Sequence, residues 1–148
     1  MIITEMTRSE CLELLASQRL GHLACCRDGQ PYVVPVTFAI EGNYLYSFSL
    51  TGQKIEWMRT NPLVSLQTDV LGEHGTWRSV VVNGRFEELP DRIGWKHARD
   101  RAWSLLSQHA NWWEPGGLKP ADESPTQHVF YRIMIETMTG RRCVAGQE

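Results

Sequence analysis

Apolar positions recur along this chain at two different periods, and the switches between them outline its elements. Near the N-terminus Cys11, Leu14 and Leu15 follow a Thr7–Glu10 capping box at helical spacing, which predicts a short amphipathic helix over residues 8–18. The apolar run at 20–26 reads as a strand. Asp28-Gly29 follows it, a hairpin signal because glycine accepts positive φ. In residues 31–40, Tyr32, Val34, Val36, Phe38 and Ile40 share one face at period two, and Val33, Pro35, Thr37 and Ala39 share the other. Pro35 removes a ladder donor, so this strand is expected at a sheet edge or bulged there. After the turn Glu41-Gly42-Asn43, residues 44–50 complete an expected three-stranded antiparallel meander.

The pattern then changes. Residues 54–60 read as a short helix that Asn61-Pro62 stops, since the residue before proline avoids the α region. Residues 63–70 alternate as a strand through Val64, Leu66 and Thr68. Residues 77–89 form a long strand in which Gly84 marks a bend or bulge. Residues 91–109 are the longest helix candidate, striped by Ile93, Ala98, Ala102, Leu105 and Leu106. A loop at 111–124, with Pro115, Gly116, Gly117 and Pro120, precedes a final strand at 127–138. Six antiparallel strands at short spacing, with helices between them, predict a mainly β (α+β) fold: a closed six-stranded barrel with flanking helices, in one domain over residues 1–148.

Composition narrows the function. The 148 residues are 42% hydrophobic and 22% charged, ordinary for a globular domain. The net charge of -2 removes the basic surface that a phosphate backbone selects, so no nucleic-acid partner is expected; one small phosphate is not excluded. No run approaches the roughly 20 apolar residues of a membrane span. The first residues, with Glu5, Arg8, Glu10 and Glu13, lack a signal core. Four cysteines without a C-x-x-C motif fit reduced thiols in a cytoplasmic protein. Six tryptophans are many for this length, and four of them fall between Trp95 and Trp113.

Three segments carry candidate chemistry. There is no G-x-S-x-G, Walker loop or G-x-G-x-x-G, and the five histidines are scattered, so no metal site is expected. A single haem-ligating histidine stays open. Ser49-Leu50-Thr51-Gly52-Gln53-Lys54 joins a strand to a helix. It gathers hydroxyls, a glycine, free N–H groups and a lysine, which is what an isolated phosphate needs. It reads equally as an ordinary cap with a solvated lysine. Along 77–85 alternation places Trp77, Ser79 and Val81 together, which also describes a half-buried strand. In 31–38 Pro35 frees backbone groups that can read the polar edge of a planar ring, or marks a plain edge strand.

Taken in order, Gly21-His22-Leu23-Ala24, Gly29-Gln30-Pro31-Tyr32-Val33-Val34-Pro35-Val36-Thr37-Phe38, Leu45-Tyr46, Gly52-x-Lys54, Asn61-Pro62 and Ser79-Val80-Val81-Val82-x-Gly84-Arg85 form a set. That set resembles the pyridoxamine 5′-phosphate oxidase-like flavin-binding family, in its small flavin-nucleotide-binding branch that includes nitroimidazole-resistance proteins. The match covers about residues 7–89 and resumes at 131–141 with Arg132-Ile133-x-Ile135 and Thr139-Gly140-Arg141. The resemblance implies an FMN-binding split β-barrel that forms a homodimer with FMN at the subunit interface. By position, Val34, Pro35, Val36 and Thr37 would line the isoalloxazine ring through backbone groups. Ser49, Thr51, Gly52 and Lys54 would hold the ribityl phosphate. Trp77, Arg78, Ser79 and Val80 would approach from the neighbouring strand. The implied function is an FMN-dependent oxidoreductase passing electrons or hydride to a small molecule. The alternative is a flavin, haem or deazaflavin binder or redox sensor without turnover.

The match singles out no catalytic residue; His74 and Arg78 are the nearest polar candidates. Where the nitroimidazole-resistance branch carries a histidine before Gly-x-Lys, this chain has Ser47-Phe48-Ser49, and the basic residues of the vitamin B6 oxidases are not matched. Trp95, Trp103, Trp112 and Trp113 read as core or homodimer interface, or as an exposed surface for a partner protein, and the insertion Trp112-Trp113-Glu114-Pro115-Gly116-Gly117 is placed to cover the cofactor mouth.

Overall fold

The computed structural model describes residues 1–108 and 128–146. Eight strands and three α-helices follow one another as β1 (Ile2–Glu5), α1 (Arg8–Ser17), β2 (Leu20–Arg27), β3 (Gln30–Thr37), β4 (Ala39–Glu41), β5 (Tyr44–Leu50), α2 (Gln53–Thr60), β6 (Leu63–Leu71), β7 (Trp77–Leu89), α3 (Lys96–Leu106) and β8 (His128–Val144). All pairings are antiparallel, in the order β3-β2-β6-β7-β8-β5-β4, with β1 added to the far half of β8. Six long strands correspond to the six expected; β1 and β4 are short additions. The result is a mainly antiparallel split barrel.

The local signals act as their chemistry requires. Thr7 and Glu10 close a reciprocal capping box on α1. Asp28 and Gly29 both take positive φ, 50° and 79°, the requirement of a two-residue turn whose twist matches its strands. At Gly84 the β7–β8 register shifts, and a Cβ there would lie 2.2 Å from the carbonyl oxygen of Met134. The expected bulge is therefore a close backbone approach that only glycine permits.

Three sequence expectations are corrected. Residues 31–40 are not one strand, because the chain breaks at Phe38 and divides β3 from β4. The meander does not form either: β3 pairs only with β2, and β5 pairs with β4 and β8. The long helix at 91–109 shrinks to Lys96–Leu106, preceded by a tight 3-10 turn at Ile93–Trp95. Ile93, assigned to the buried stripe, is 99% exposed because it precedes the helix. The end of that expected helix at His109, the loop at 111–124 with Trp112 and Trp113, and residue 127 lie outside the described residues.

Two apolar clusters share the β5–β8 wall. Inside the barrel, Leu23, Leu45, Leu66, Val80, Tyr131 and Ile133 pack with Leu14 of α1 and with Ile55 and Met58 of α2. On the outer side, Tyr46, Phe48 and Phe130 pack under Ala102, Leu105 and Leu106 of α3. Both faces of β5 are therefore covered, and its two serines, Ser47 and Ser49, are buried along with its apolar residues. Outside that second cluster, α3 is tied down by polar contacts. Arg101 pairs with Glu41, and Arg99 donates to the Leu89 carbonyl at 3.0 Å.

Candidate functional site

The break at Phe38 adjoins a hollow in the barrel wall. β3 and β5 come back alongside each other, but no ladder joins them among the described residues. Between these lips lies a cavity of about 320 Å³. One wall is Tyr32, Pro35, Val36 and Thr37 of β3. The other is Phe48, Ser49 and Leu50 of β5, and Thr51, Gly52, Gln53 and Lys54 close its end. The edge of β3 that faces the cavity has backbone groups that no strand uses, and Pro35 has no N–H at all.

The closed end is electropositive. Gly52, extended at φ 177°, is the N-cap of α2 and offers no side-chain cap, so the first-turn N–H groups stay available to a ligand. Lys54 is partly buried and has no carboxylate partner among the described residues. Burial pulls its ammonium below the usual lysine range; the nearby Cys25 thiol opposes this only partly. That thiol is itself pushed up by burial. A desolvated cation without a counter-charge at a helix start is built to accept an anion. Ser49 Oγ donates to the Leu50 carbonyl at 2.8 Å, leaving its lone pairs free to accept. Tyr32 of the lining stands 5.6 Å from the ring of Trp57, tilted by 55°.

Seven of the twelve expected site residues meet here: Pro35, Val36, Thr37, Ser49, Thr51, Gly52 and Lys54. Val34 packs against the barrel core instead. Trp77, Arg78, Ser79 and Val80 line no part of this cavity. They stand on β7, separated from β3 in the sheet by β2 and β6. Val80 is fully buried in the core, whereas Ser79 accepts from Gln67 Nε2 at 3.1 Å. His74, at φ 56° in the turn before β7, and Arg78 stand away from the cavity too. Sequence reasoning passed over Tyr32, Phe48, Leu50 and Gln53. Tyr32 shares a face with Val36, a usable signal; Phe48 shares a face with Tyr44, Tyr46 and Leu50 and reads as a core position, which it also is under α3.

The split barrel and its loop of Ser49 to Lys54 define a class. Residues 7–142 match the family model described as pyridoxamine 5′-phosphate oxidase, and the chain belongs to that family. An uncharacterized protein of Rhizobium meliloti (strain 1021) is 50% identical over 150 residues, covering 99% of both chains. A crystal structure of a FAD-binding protein from Mesorhizobium loti is 51% identical, superposes with a TM-score of 0.83, and covers 97% of this chain and 100% of its own. A proposed 5-nitroimidazole antibiotic resistance protein of Bacteroides thetaiotaomicron shares the fold at a TM-score of 0.75 and 18% identity, over 95% of this chain and 87% of its own. No helix among the described residues is long and apolar enough to cross a membrane.

Proposed function

We propose that this protein is an FMN-binding oxidoreductase that exchanges electrons or hydride with a small molecule. The observation that carries the reading is the cavity between β3 and β5, closed at one end by a desolvated Lys54 that has no carboxylate partner among the described residues. The phosphate would sit on Ser49, Thr51, Gly52 and Lys54, with the ring edge against Pro35, Val36 and Thr37. The bound flavin supplies the redox chemistry; the protein orients it and neutralises its charge. One free cation at the closed end suits one phosphate, which favours FMN over FAD. The FAD-binding description of the Mesorhizobium loti relative makes FAD the competing cofactor.

A homodimer completes this picture. The cavity is open on one side, and Trp77, Arg78 and Ser79 fall outside it, so their side chains would reach the flavin from the partner's β7, whereas Val80, buried in the core, would not. The outer face of the sheet supports a contact between copies. Ala24, Cys26 and Leu63 line a second, mainly apolar hollow of about 450 Å³ there. Free Cys11, Cys25, Cys26 and Cys143 support a cytoplasmic setting.

A reading without turnover, as flavin carrier or redox sensor, is favoured by one feature. Among the described residues the cavity lining contains no carboxylate and no histidine, hence no evident acid–base pair. A haem variant has no histidine, cysteine or methionine among the described lining residues to serve as axial ligand.

The test is an absorption spectrum of the purified protein, with the released cofactor identified by mass and reduction by NADH and NADPH followed. Bound FMN that is reduced and then reoxidised by a quinone or nitro compound is expected. Protein that is colourless and stays so after incubation with FMN or FAD overturns the flavin reading. A flavin that no donor reduces replaces the oxidoreductase with the carrier. Sedimentation that finds a monomer binding flavin tightly removes the dimer.

A further inference from the structure

The two lips of the split are joined by a hydrogen bond rather than by a ladder. Ser47 Oγ on β5 donates to the Thr37 carbonyl at the end of β3, at 2.6 Å. The next atom pair of the same peptide is held from the other side: the Phe38 N–H donates to the Arg19 carbonyl at 2.9 Å. The Thr37–Phe38 peptide is thus gripped at both its oxygen and its nitrogen, at the point where β3 ends and the chain crosses to β4. Thr37 and, just before it, Val36 and Pro35 line the cavity.

The grip is deeply buried. Ser47 is 2% exposed and Thr37 8%. Behind Ser47, on the paired strand, Tyr131 is fully buried; its hydroxyl lies beside Ser47 but makes no well-formed hydrogen bond. The Ser47 hydroxyl has one proton and gives it to Thr37, so toward Tyr131 it can only accept. Burying a hydroxyl is unfavourable unless that hydroxyl is bonded, and here its bond goes to the opposite lip.

We propose that Ser47, backed by Tyr131, is a positioning residue that sets the width of the slot between β3 and β5 and so seats the flavin ring. This rests on the flavin reading above. Ser47 itself lies outside the cavity lining and acts through Thr37. With the staple removed, the last residues of β3 are held from the β2 side alone, by the ladder and the Phe38–Arg19 bond, and the slot loosens on the β5 side.

The experiment reads the lip with and without ligand. In ligand-free protein, Ser47→Ala is expected to raise amide exchange at Phe38 at least tenfold, with the β7–β8 ladder unchanged. With FMN it is expected to weaken binding about tenfold and to alter the shape of the visible flavin absorption band. Ser47→Thr, which keeps the hydroxyl, restores most of both. Tyr131→Phe moves both in the direction of Ser47→Ala, by less. Thr7→Ala, a mildly destabilised variant remote from the slot, moves neither, so a general loss of stability is separated from the staple. If Ser47→Ala does not fold, Ser47→Cys, near-isosteric and a far weaker donor, gives the same reading. Wild-type exchange at Phe38 together with wild-type FMN affinity in the Ser47 variant overturns the proposal. A wild-type protein that binds no flavin overturns the parent reading instead, and the exchange arm still decides whether Ser47 pins the lip.

Discussion

The barrel has two long seams, and they are built in opposite ways. Along β7–β8 the whole of β7 is paired, from Trp77 against Cys143 to Leu89 against Phe130, with one shift at Asn83/Gly84. Along β3–β5 there is a cavity and a side-chain staple. The first seam satisfies its backbone groups within the chain and has none to spare for a ligand. The second keeps N–H and C=O groups, a helix start and a lysine available, at the cost of a weaker closure. A barrel binds where its ladder is interrupted, because a polar ligand needs donors and acceptors that the sheet has not already used.

The largest expected effect comes from attacking the closed seam. Gly84→Val would drive a Cβ into the Met134 carbonyl, backbone that cannot turn aside. The variant should lose roughly 3 kcal/mol or more of stability, read as a lower urea midpoint. Full stability in Gly84→Val would mean that the bulge is not forced.

Next comes the open seam. Lys54→Ala should weaken FMN binding by roughly 10- to 100-fold, the equivalent of about 1.5–3 kcal/mol for a charge-assisted bond, in a fluorescence titration. The stability of the ligand-free protein should not fall, since burial opposes that charge. An unchanged dissociation constant would take Lys54 out of the site.

A smaller effect tests whether the helix over the barrel matters to either seam. Thr7→Ala removes the cap of α1 and should cost about 1 kcal/mol in thermal unfolding, with flavin affinity untouched.

The smallest effect is a pH dependence. Folding lowers the Lys54 pKa, so the unfolded chain holds its proton to higher pH than the folded one. Ligand-free stability contributed by this residue should therefore rise as pH climbs from the depressed folded value to the ordinary lysine range. FMN affinity should fall over the same window, because the cation that meets the phosphate is being lost. A Lys54→Met variant that shows the same two slopes would assign them to another group.

Much of the site was legible because it is local. Ser49 to Lys54 is one continuous stretch, and a strand end, a glycine and a lysine at the start of a helix carry their meaning without tertiary context. Pro35 announced an edge, and β3 is one. Phe48 was not legible, because a residue covered by α3 on one side of β5 also reaches the cavity. The break at Phe38 was hidden as well. Tyr32 to Ile40 keeps period two through it, and the cause of the break lies in Arg19 and Ser47, which are distant partners for one peptide.

By itself the sequence determined the approximate places of the six long strands and of helices α1 and α2, the reversal at Asp28-Gly29, and which loop is ready for an anion. Those properties follow from side-chain period, from the positive φ that Asp28 and Gly29 adopt, and from adjacent residues whose chemistry adds up in place. Only the tertiary structure decided that β5 pairs with β8 rather than with β3, and hence that the barrel is split and where. The reason is physical. Period two reports that a strand has a buried face, but not which distant strand supplies its hydrogen bonds. Here Tyr44 meets Met134 and Leu50 meets His128, and the lip of β3 is left to a serine.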